Sequence, residues 1–370
     1  MNKIKKLSQS NWLMFTIISF GIGMRLLMII RGHSLDFEAY VLVAKIVDNG
    51  SNVYASTTRY NYGPIWSQIV HLMFQMASMN LILLRYILIA FLSLVDLAIF
   101  TILFQKLGRT VAFLFFLNPI SIIITGYHNQ FDNLALLLGM LSVIIIEDDF
   151  KNSINGRKFL GLLVLGLSMA TKHLLFAFPF WLAVKQKGII QKIIVILVPV
   201  TVFLISFVPY WRDGNQGIIQ NVFLYDSFKY EYFYRLFVPG FIKGIVSSTT
   251  IWVILLIIFA FVFRQKKSFD SLLLYTCILV ATSPATANQY LAIVIPFVAA
   301  NINPFTLSYT IVGTVHLLID TTGLHFFDSL SEKFETYGPI LNPVLIVLLC
   351  LGFVRSVWIQ QLPILRNKDS

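Results

Sequence analysis

The sequence predicts an all-α fold: a polytopic membrane helical bundle of about ten to twelve spans, with juxtamembrane helices in its first outer loop. Three observations carry this reading. The 370-residue chain is 57% hydrophobic and only 12% charged, about half the charge of an ordinary soluble domain (~25%). Apolar runs recur along it at roughly the 15 to 25 residues a bilayer-crossing helix needs. Its cations fall between those runs instead of spreading over them.

In chain order the spans are expected near residues 12–30, 82–104, 110–126, 132–146, 159–171, 174–184, 190–209, 242–263, 268–282, 287–300, 305–320 and 339–358. The first run, residues 11–30, is too long for a secretory core segment and reads as a retained span. Basic clusters then set the orientation. Lys3, Lys5 and Lys6 precede the first span; Lys106 with Arg109, Lys151 with Arg157 and Lys158, Lys185 with Lys187 and Lys192, and Arg264 with Lys266 and Lys267 follow. Cytoplasmic turns carry such excess Lys and Arg, so both termini are expected in the cytoplasm and the chain in the cell (plasma) membrane, multi-pass. Were residues 63–79 a full span, every later cluster would invert, so that stretch is expected to be a juxtamembrane helix. The short runs either side of Thr171-Lys172-His173 are expected to kink or stop short of a full crossing.

Residues 1–370 read as a single integral membrane domain, with residues 31–80 as its first outer loop. Residues 325–337, HFFDSLSEKFETY, read as a short amphipathic helix lying on the membrane. The net charge, 28 − 17 = +11, would raise nucleic acid as a partner for a soluble chain; here the cations punctuate spans, and no nucleic-acid partner is expected. Cys277 and Cys350 both lie inside apolar runs, which gives neither a disulfide framework nor a zinc motif.

With this topology the outer face collects the unusual polar residues. It receives Asp36 and Glu38 in the first loop, the aromatic turn Tyr60-Asn61-Tyr62-Gly63-Pro64, the turn at 126–132 with His128, Gln130 and Asp132, the Lys172-His173 turn, residues 210–239, and the stretch at 283–290 with Gln289 and Tyr290. Arg25, Arg85, Asp132 and Lys172 lie within or at the ends of spans, where an ionisable group is costly and marks function by default. Asp96, inside an apolar span, is expected to pair with a neighbouring helix.

The pieces Asp36-Phe37-Glu38-Ala39-Tyr40, Tyr60 to Pro64, Asn118-Pro119, Gly126 to Asp132 and Thr171-Lys172-His173 together resemble the GT-C membrane glycosyltransferases. The likeness is to the glycosylphosphatidylinositol mannosyltransferases and the bacterial family 87 polyprenol-phosphate-mannose enzymes, and it covers the first half of the chain best. Two departures stand out: Gly63 occupies a place where such enzymes often have a second proline, and Asp36-Phe37-Glu38 replaces a strict double aspartate. A divalent metal stays open but is not indicated, and no other cofactor is expected.

The resemblance implies transfer of a hexose, mannose by analogy, from a polyprenyl-phosphate donor to a glycolipid or glycan acceptor at the non-cytoplasmic side of the lipid bilayer. Such a reaction passes through an oxocarbenium-like state in which a carboxylate takes the acceptor's proton while phosphate leaves. Asp36 is the candidate base; Lys172, Arg85 and Arg31 are candidates for the donor phosphate; Asp132, Gln130, His128, Tyr62, Glu38, Gln289 and Tyr290 are candidates for sugar or acceptor contacts. Plainer roles stay open. Asp36 can serve as a first-turn acid facing the helix dipole, and Lys172, Arg85 and Arg31 can anchor to lipid phosphate. A polysaccharide polymerase or ligase, or a lipid-linked-sugar flippase, would also place charges on this face.

Overall fold

The computed structural model describes residues 2–146, 154–225, 229–319, 324 and 338–359, and the expected amphipathic helix at 325–337 lies outside them. Its secondary structure is helical, with one isolated bridge, Lys229 to Ala285, and no strand among the described residues. The chain folds as two compact units, Met1–Asp226 and Ser227–Ser370.

The first unit begins with α1 (Asn2–Leu27) and a 3-10 turn, Met28–Arg31. The stretch expected to be the first outer loop is itself helical: α2 (Leu35–Asp48), α3 (Val53–Ser56) and α4 (Pro64–Met76). Asp36 and Glu38 sit in the first turn of α2, against the positive end of its dipole. The helix stops in a Schellman arrangement, with Gly50 at φ 72°, its N–H bonded to the Val47 carbonyl and that of Ser51 to Ile46. Pro64 opens α4 where its missing N–H costs nothing. At 13 residues α4 is about 20 Å long, short of the ~30 Å hydrocarbon core, in keeping with a juxtamembrane position.

The span α5 (Leu81–Leu107) is capped by the Asn80 carboxamide, which accepts from the N–H groups of Ile82 and Leu83. Then α6 (Arg109–Phe116) and α7 (Pro119–Ile123), the latter running on into a π-helical turn to His128, form a pair bent by 45°. The break is Asn118-Pro119: proline lacks an N–H and drives the residue before it extended, and Asn118 lies at ψ 123°. Helix α8 (Asp132–Ile146) follows a left-handed Asn129 at φ 56°. After it come α9 (Gly156–Thr171), the short α10 (Phe178–Ala183), α11 (Ile189–Ile205) and α12 (Trp211–Ile218).

The second unit holds α13 (Tyr232–Phe237), α14 (Gly240–Lys243), α15 (Ser248–Val262), α16 (Ser268–Thr282), α17 (Tyr290–Ile293), α18 (Ile295–Ala300), α19 (Pro304–Ile319) and α20 (Gly338–Ile359). Asn303, at the foot of α19, donates to the Gly352 carbonyl and the Ser356 hydroxyl of α20.

Four described helices are long and apolar enough to cross a membrane: Trp12–Arg31, Leu81–Leu107, Ile189–Phe223 and Ile340–Val357. The bent pair makes a fifth if taken as one span. Other expected spans are shorter: Asp132–Ile146, Ser248–Val262, Ser268–Thr282, Tyr290–Ala300 and Pro304–Ile319 each have 10–17 residues. The run at 174–184 yields only a 3-10 turn and the six residues of α10, with Pro179 in its first turn, and the one expected at 242–263 becomes a helix from Ser248. Hydropathy registers apolar length, whereas internal prolines and glycines decide where the helix is cut.

A buried polar hub positions the site. Asp96, fully buried on α5, accepts from Arg25 Nε at 2.9 Å, Thr125 Oγ1 at 2.8 Å and Asn133 Nδ2 at 2.6 Å. Arg25 also donates to the carbonyls of Gly21 and Phe116 and to Ser121 Oγ. One ion pair thereby ties α1, α5, the bent segment and the start of α8. It pins the residue next to Asp132, and its partners compensate a charge that would otherwise be very costly in an apolar core.

Candidate active site

The site grows from two helix ends. Helix α9 stops at Thr171 and Lys172 turns extended (φ −148°, ψ 123°), while Asp132 opens α8. Their side chains meet: Lys172 Nζ donates to Asp132 Oδ2 at 2.7 Å, and both are largely buried. Gln130 Oε1 stands at 3.5 Å from the same ammonium and from the Tyr40 hydroxyl. The rings of Tyr62 and Phe131 each lie with their centroids 4.9 Å from Nζ, a cation–π distance. Asp132 Oδ1 and Gln130 Nε2 are buried and have no hydrogen-bond partner among the described residues. An ammonium carries three donor hydrogens, and the Asp132 bond takes one of them.

An aromatic frame holds this cluster. Trp66 stacks on Phe131 at 3.9 Å, with Tyr62 edge-on to Phe131 at 4.8 Å and Tyr40 edge-on to Trp66 at 5.3 Å. The Tyr-rich turn braces itself: Tyr60 donates to the Gly63 carbonyl at 2.6 Å and accepts from the Ser67 N–H, while Tyr54 donates to the Tyr62 carbonyl. Gly63 is where this turn presses on α9. A Cβ there would fall 1.8 Å from the Ala170 carbonyl oxygen, backbone against backbone, so a proline at this position would not fit. Gly63→Ala is expected to cost about 1–3 kcal/mol of stability, as overpacking does, and to lower turnover by lifting Tyr62 off Lys172. Melting in detergent and single-turnover rates check it; wild-type values for both would show that the close approach is dispensable.

Asp36 completes the arrangement from α2. Ser34 Oγ donates to the His128 carbonyl and Arg59 to the Leu35 carbonyl, fixing the start of α2 against the turn that carries Gln130. The half-buried carboxyl of Asp36 is pushed above its ordinary value chiefly by burial, and the nearby Asp132 charge adds to that. Lys172, the Gln130 amide and Arg59 pull the other way, the amide falling short of a formed hydrogen bond. The result is a carboxyl group held beside an ammonium that is already engaged by a second carboxylate.

Asp36, Gln130, Tyr62, Asp132 and Lys172, named from the sequence, come together. Others do not. Arg85 donates to the carbonyls of Met28 and Ile29, and lines a pocket with His33 and Glu38 on another face of α2. Glu38 is exposed and faces His33 at 3.6 Å, and Arg31 is exposed at the end of its 3-10 turn. His128 contributes its carbonyl to Ser34, and its buried ring packs edge-on to Tyr127. Gln289 and Tyr290 belong to the second unit, at the start of α17. Sequence reading missed Tyr40, Trp66, Phe131 and Arg59. Tyr40 was within reach, since it lies four residues from Asp36 on one helical face. Among the described residues no three His, Cys, Asp or Glu side chains gather as a metal site would require.

No family model matches the chain, and no curated protein is significantly similar to it in sequence. Its likeness is one of fold alone, to solved structures of low sequence identity. The crystal structure of ArnT from Cupriavidus metallidurans in the apo state superposes with a TM-score of 0.53 at 12% identity, covering 95% of this chain and 77% of that one. ArnT from the same organism bound to undecaprenyl phosphate gives 0.50 at 12% identity, covering 94% and 77%.

Proposed function

We propose that the chain is a membrane glycosyltransferase that moves a hexose, mannose by resemblance, from a polyprenyl-phosphate donor to a glycolipid or glycan acceptor on the non-cytoplasmic face. The observation that carries the reading is Asp36 held beside the Lys172–Asp132 pair, on a juxtamembrane helix of a membrane bundle. The ArnT structure bound to undecaprenyl phosphate supports the reading, since that lipid is a polyprenyl phosphate, the carrier part of the proposed donor. In this reading both termini face the cytoplasm and the Asp36 cluster faces outward.

The chemistry follows from the residues. Asp36, ionised, takes the proton of the acceptor hydroxyl as that oxygen bonds to the anomeric carbon. The bond from the anomeric carbon to the phosphate oxygen breaks, and the phosphate leaves with both electrons. Lys172 sits where that negative charge grows, and a preorganised cation there stabilises the transition state more than the ground state. Asp132 fixes the ammonium's position, as its 2.7 Å bond requires. Gln130 and Tyr62 offer an amide and a phenol to the sugar hydroxyls, and Trp66 and Phe131 keep the frame rigid.

The purified protein, given a panel of polyprenyl-phosphate and nucleotide sugars with a lipid or glycan acceptor, is expected to transfer sugar from the lipid-linked donors only. Transfer from a nucleotide sugar, with every lipid donor absent, would defeat the reading.

A further inference from the structure

Helix α2 has two working faces. Asp36 and Tyr40, four residues apart, face the Lys172 cluster; Phe37, Glu38 and Val41, centred on a different side of the helix, line a separate cavity of about 420 Å³ with Ile29, His33 and Arg85. That size suits a small ligand or a lipid headgroup. The cavity lies where α1 and its 3-10 turn end and α5 begins, at the ends of two helices long and apolar enough to cross a membrane. Its outer wall is apolar and open: Ile82 is 69% exposed, and Leu81, Ile30 and Leu27 are exposed around it.

Arg85 makes this cavity more than a crevice. It is only 6% exposed, spends two of its donors on the carbonyls of Met28 and Ile29, and has a buried Nε with no hydrogen-bond partner among the described residues. A buried guanidinium donor left over is costly unless an acceptor arrives. No carboxylate pairs with it among the described residues; Glu38, at the cavity's edge, is engaged by His33 at 3.6 Å and half exposed. The cavity therefore presents a buried cation inside and a carboxylate at its mouth, beside exposed apolar residues.

We infer that this cavity binds the headgroup of a zwitterionic phospholipid, its phosphate on Arg85 and its amine on Glu38, with the acyl chains leaving past Leu81 and Ile82. The site is separate from the Asp36–Lys172 cluster and stands whether or not that cluster transfers sugar. An acidic lipid without an amine satisfies Arg85 alone. A zwitterionic head satisfies both charges.

Native mass spectrometry of the purified full chain, titrated with phosphatidylethanolamine, phosphatidylglycerol, polyprenyl monophosphate or inorganic phosphate, tests it without reference to turnover. The wild type is expected to retain phosphatidylethanolamine above phosphatidylglycerol. Arg85→Gln should lower phospholipid occupancy about tenfold or more, the value of a charge-assisted bond in a binding constant. Because Arg85 also ties two carbonyls, Ile82→Trp provides a second variant that closes the mouth from an exposed position and leaves the charge in place; it should lose lipid likewise. Glu38→Gln should erase the preference for the amine-bearing head. Wild-type occupancy in both the Arg85 and Ile82 variants overturns the site. So does binding of polyprenyl monophosphate or inorganic phosphate with no phospholipid retained, and so does an Ile82→Trp loss without any Arg85→Gln loss.

Discussion

Asp36→Asn is expected to lower the rate of sugar transfer about 10²–10⁴-fold, the usual worth of general base catalysis, while leaving fold and donor binding intact. The amide keeps the shape of the carboxylate and its place in the first turn of α2, but it cannot accept the acceptor's proton. The measurement is single-turnover transfer from a polyprenyl-phosphate sugar, with helicity and donor affinity measured alongside. Near-normal turnover would remove Asp36 as the base.

The pH profile carries the same assignment. Burial raises the Asp36 carboxyl above the ordinary 3.8, and the neighbouring Lys172 charge holds it down against that push. The base works only when ionised, so the rate should climb with pH through a limb lying above the ordinary carboxylate value. Replacing Lys172 by a neutral residue removes an influence that favours the ionised form, and the limb should move further up. In Asp36→Asn it should vanish. The raised value also carries a stability consequence with a definite sign: the contribution of a protonated Asp36 to folding is full at low pH and is lost as pH rises through the raised value, the opposite of a salt-bridged acid.

Lys172→Ala is expected to be the most damaging change to the fold as well as to the site. It leaves Asp132, 2% exposed, as a buried carboxylate without its ammonium, and breaking a buried pair from one side costs about 3–5 kcal/mol. Lys172→Arg should keep part of both stability and donor affinity, since the charge stays but the planar fork reaches differently. A double variant, Lys172→Met with Asp132→Leu, separates the two roles: replacing a buried ion pair by apolar residues is often neutral or stabilising, so the fold should return while sugar transfer does not. Wild-type turnover in the double variant would show that the pair is structural only. Unchanged donor affinity in a folded Lys172→Ala protein would take the ammonium out of the phosphate contact.

Much of the cluster was legible because its members carry chemistry that an apolar chain does not tolerate idly. Asp132, Gln130 and Lys172 stand out as polar residues at the ends of apolar runs, and Asp36 as an acid just past the first span. Arg85 and Glu38 stand out on the same grounds, yet Arg85 of α5 and Glu38 of α2 line a separate cavity. The reason is angular: neighbouring residues on a helix point about 100° apart, so Asp36 and Glu38 diverge although only one residue lies between them. The aromatic frame was hidden for another reason. Trp66 and Phe131 are two among many aromatic residues in a greasy sequence, and their stacking at 3.9 Å depends on α4 meeting the turn before α8.

The sequence by itself determined the solvent. An apolar composition, long apolar runs and cations clustered mostly between those runs leave a helical membrane bundle as the consistent fold, because hydrocarbon requires backbone groups to bond within each segment. It also determined that charged groups at membrane depth need partners. Which partners they take was decided only by the tertiary structure: Arg25 with Asp96, Lys172 with Asp132, and Arg85 with the carbonyls of Met28 and Ile29. The pairings join residues 71, 40 and 56–57 positions apart. They rest on close approaches that no local pattern encodes, such as Gly63 against Ala170. A charge's cost is read from its immediate surroundings in the chain, but what relieves it depends on which distant backbone comes within about 3 Å.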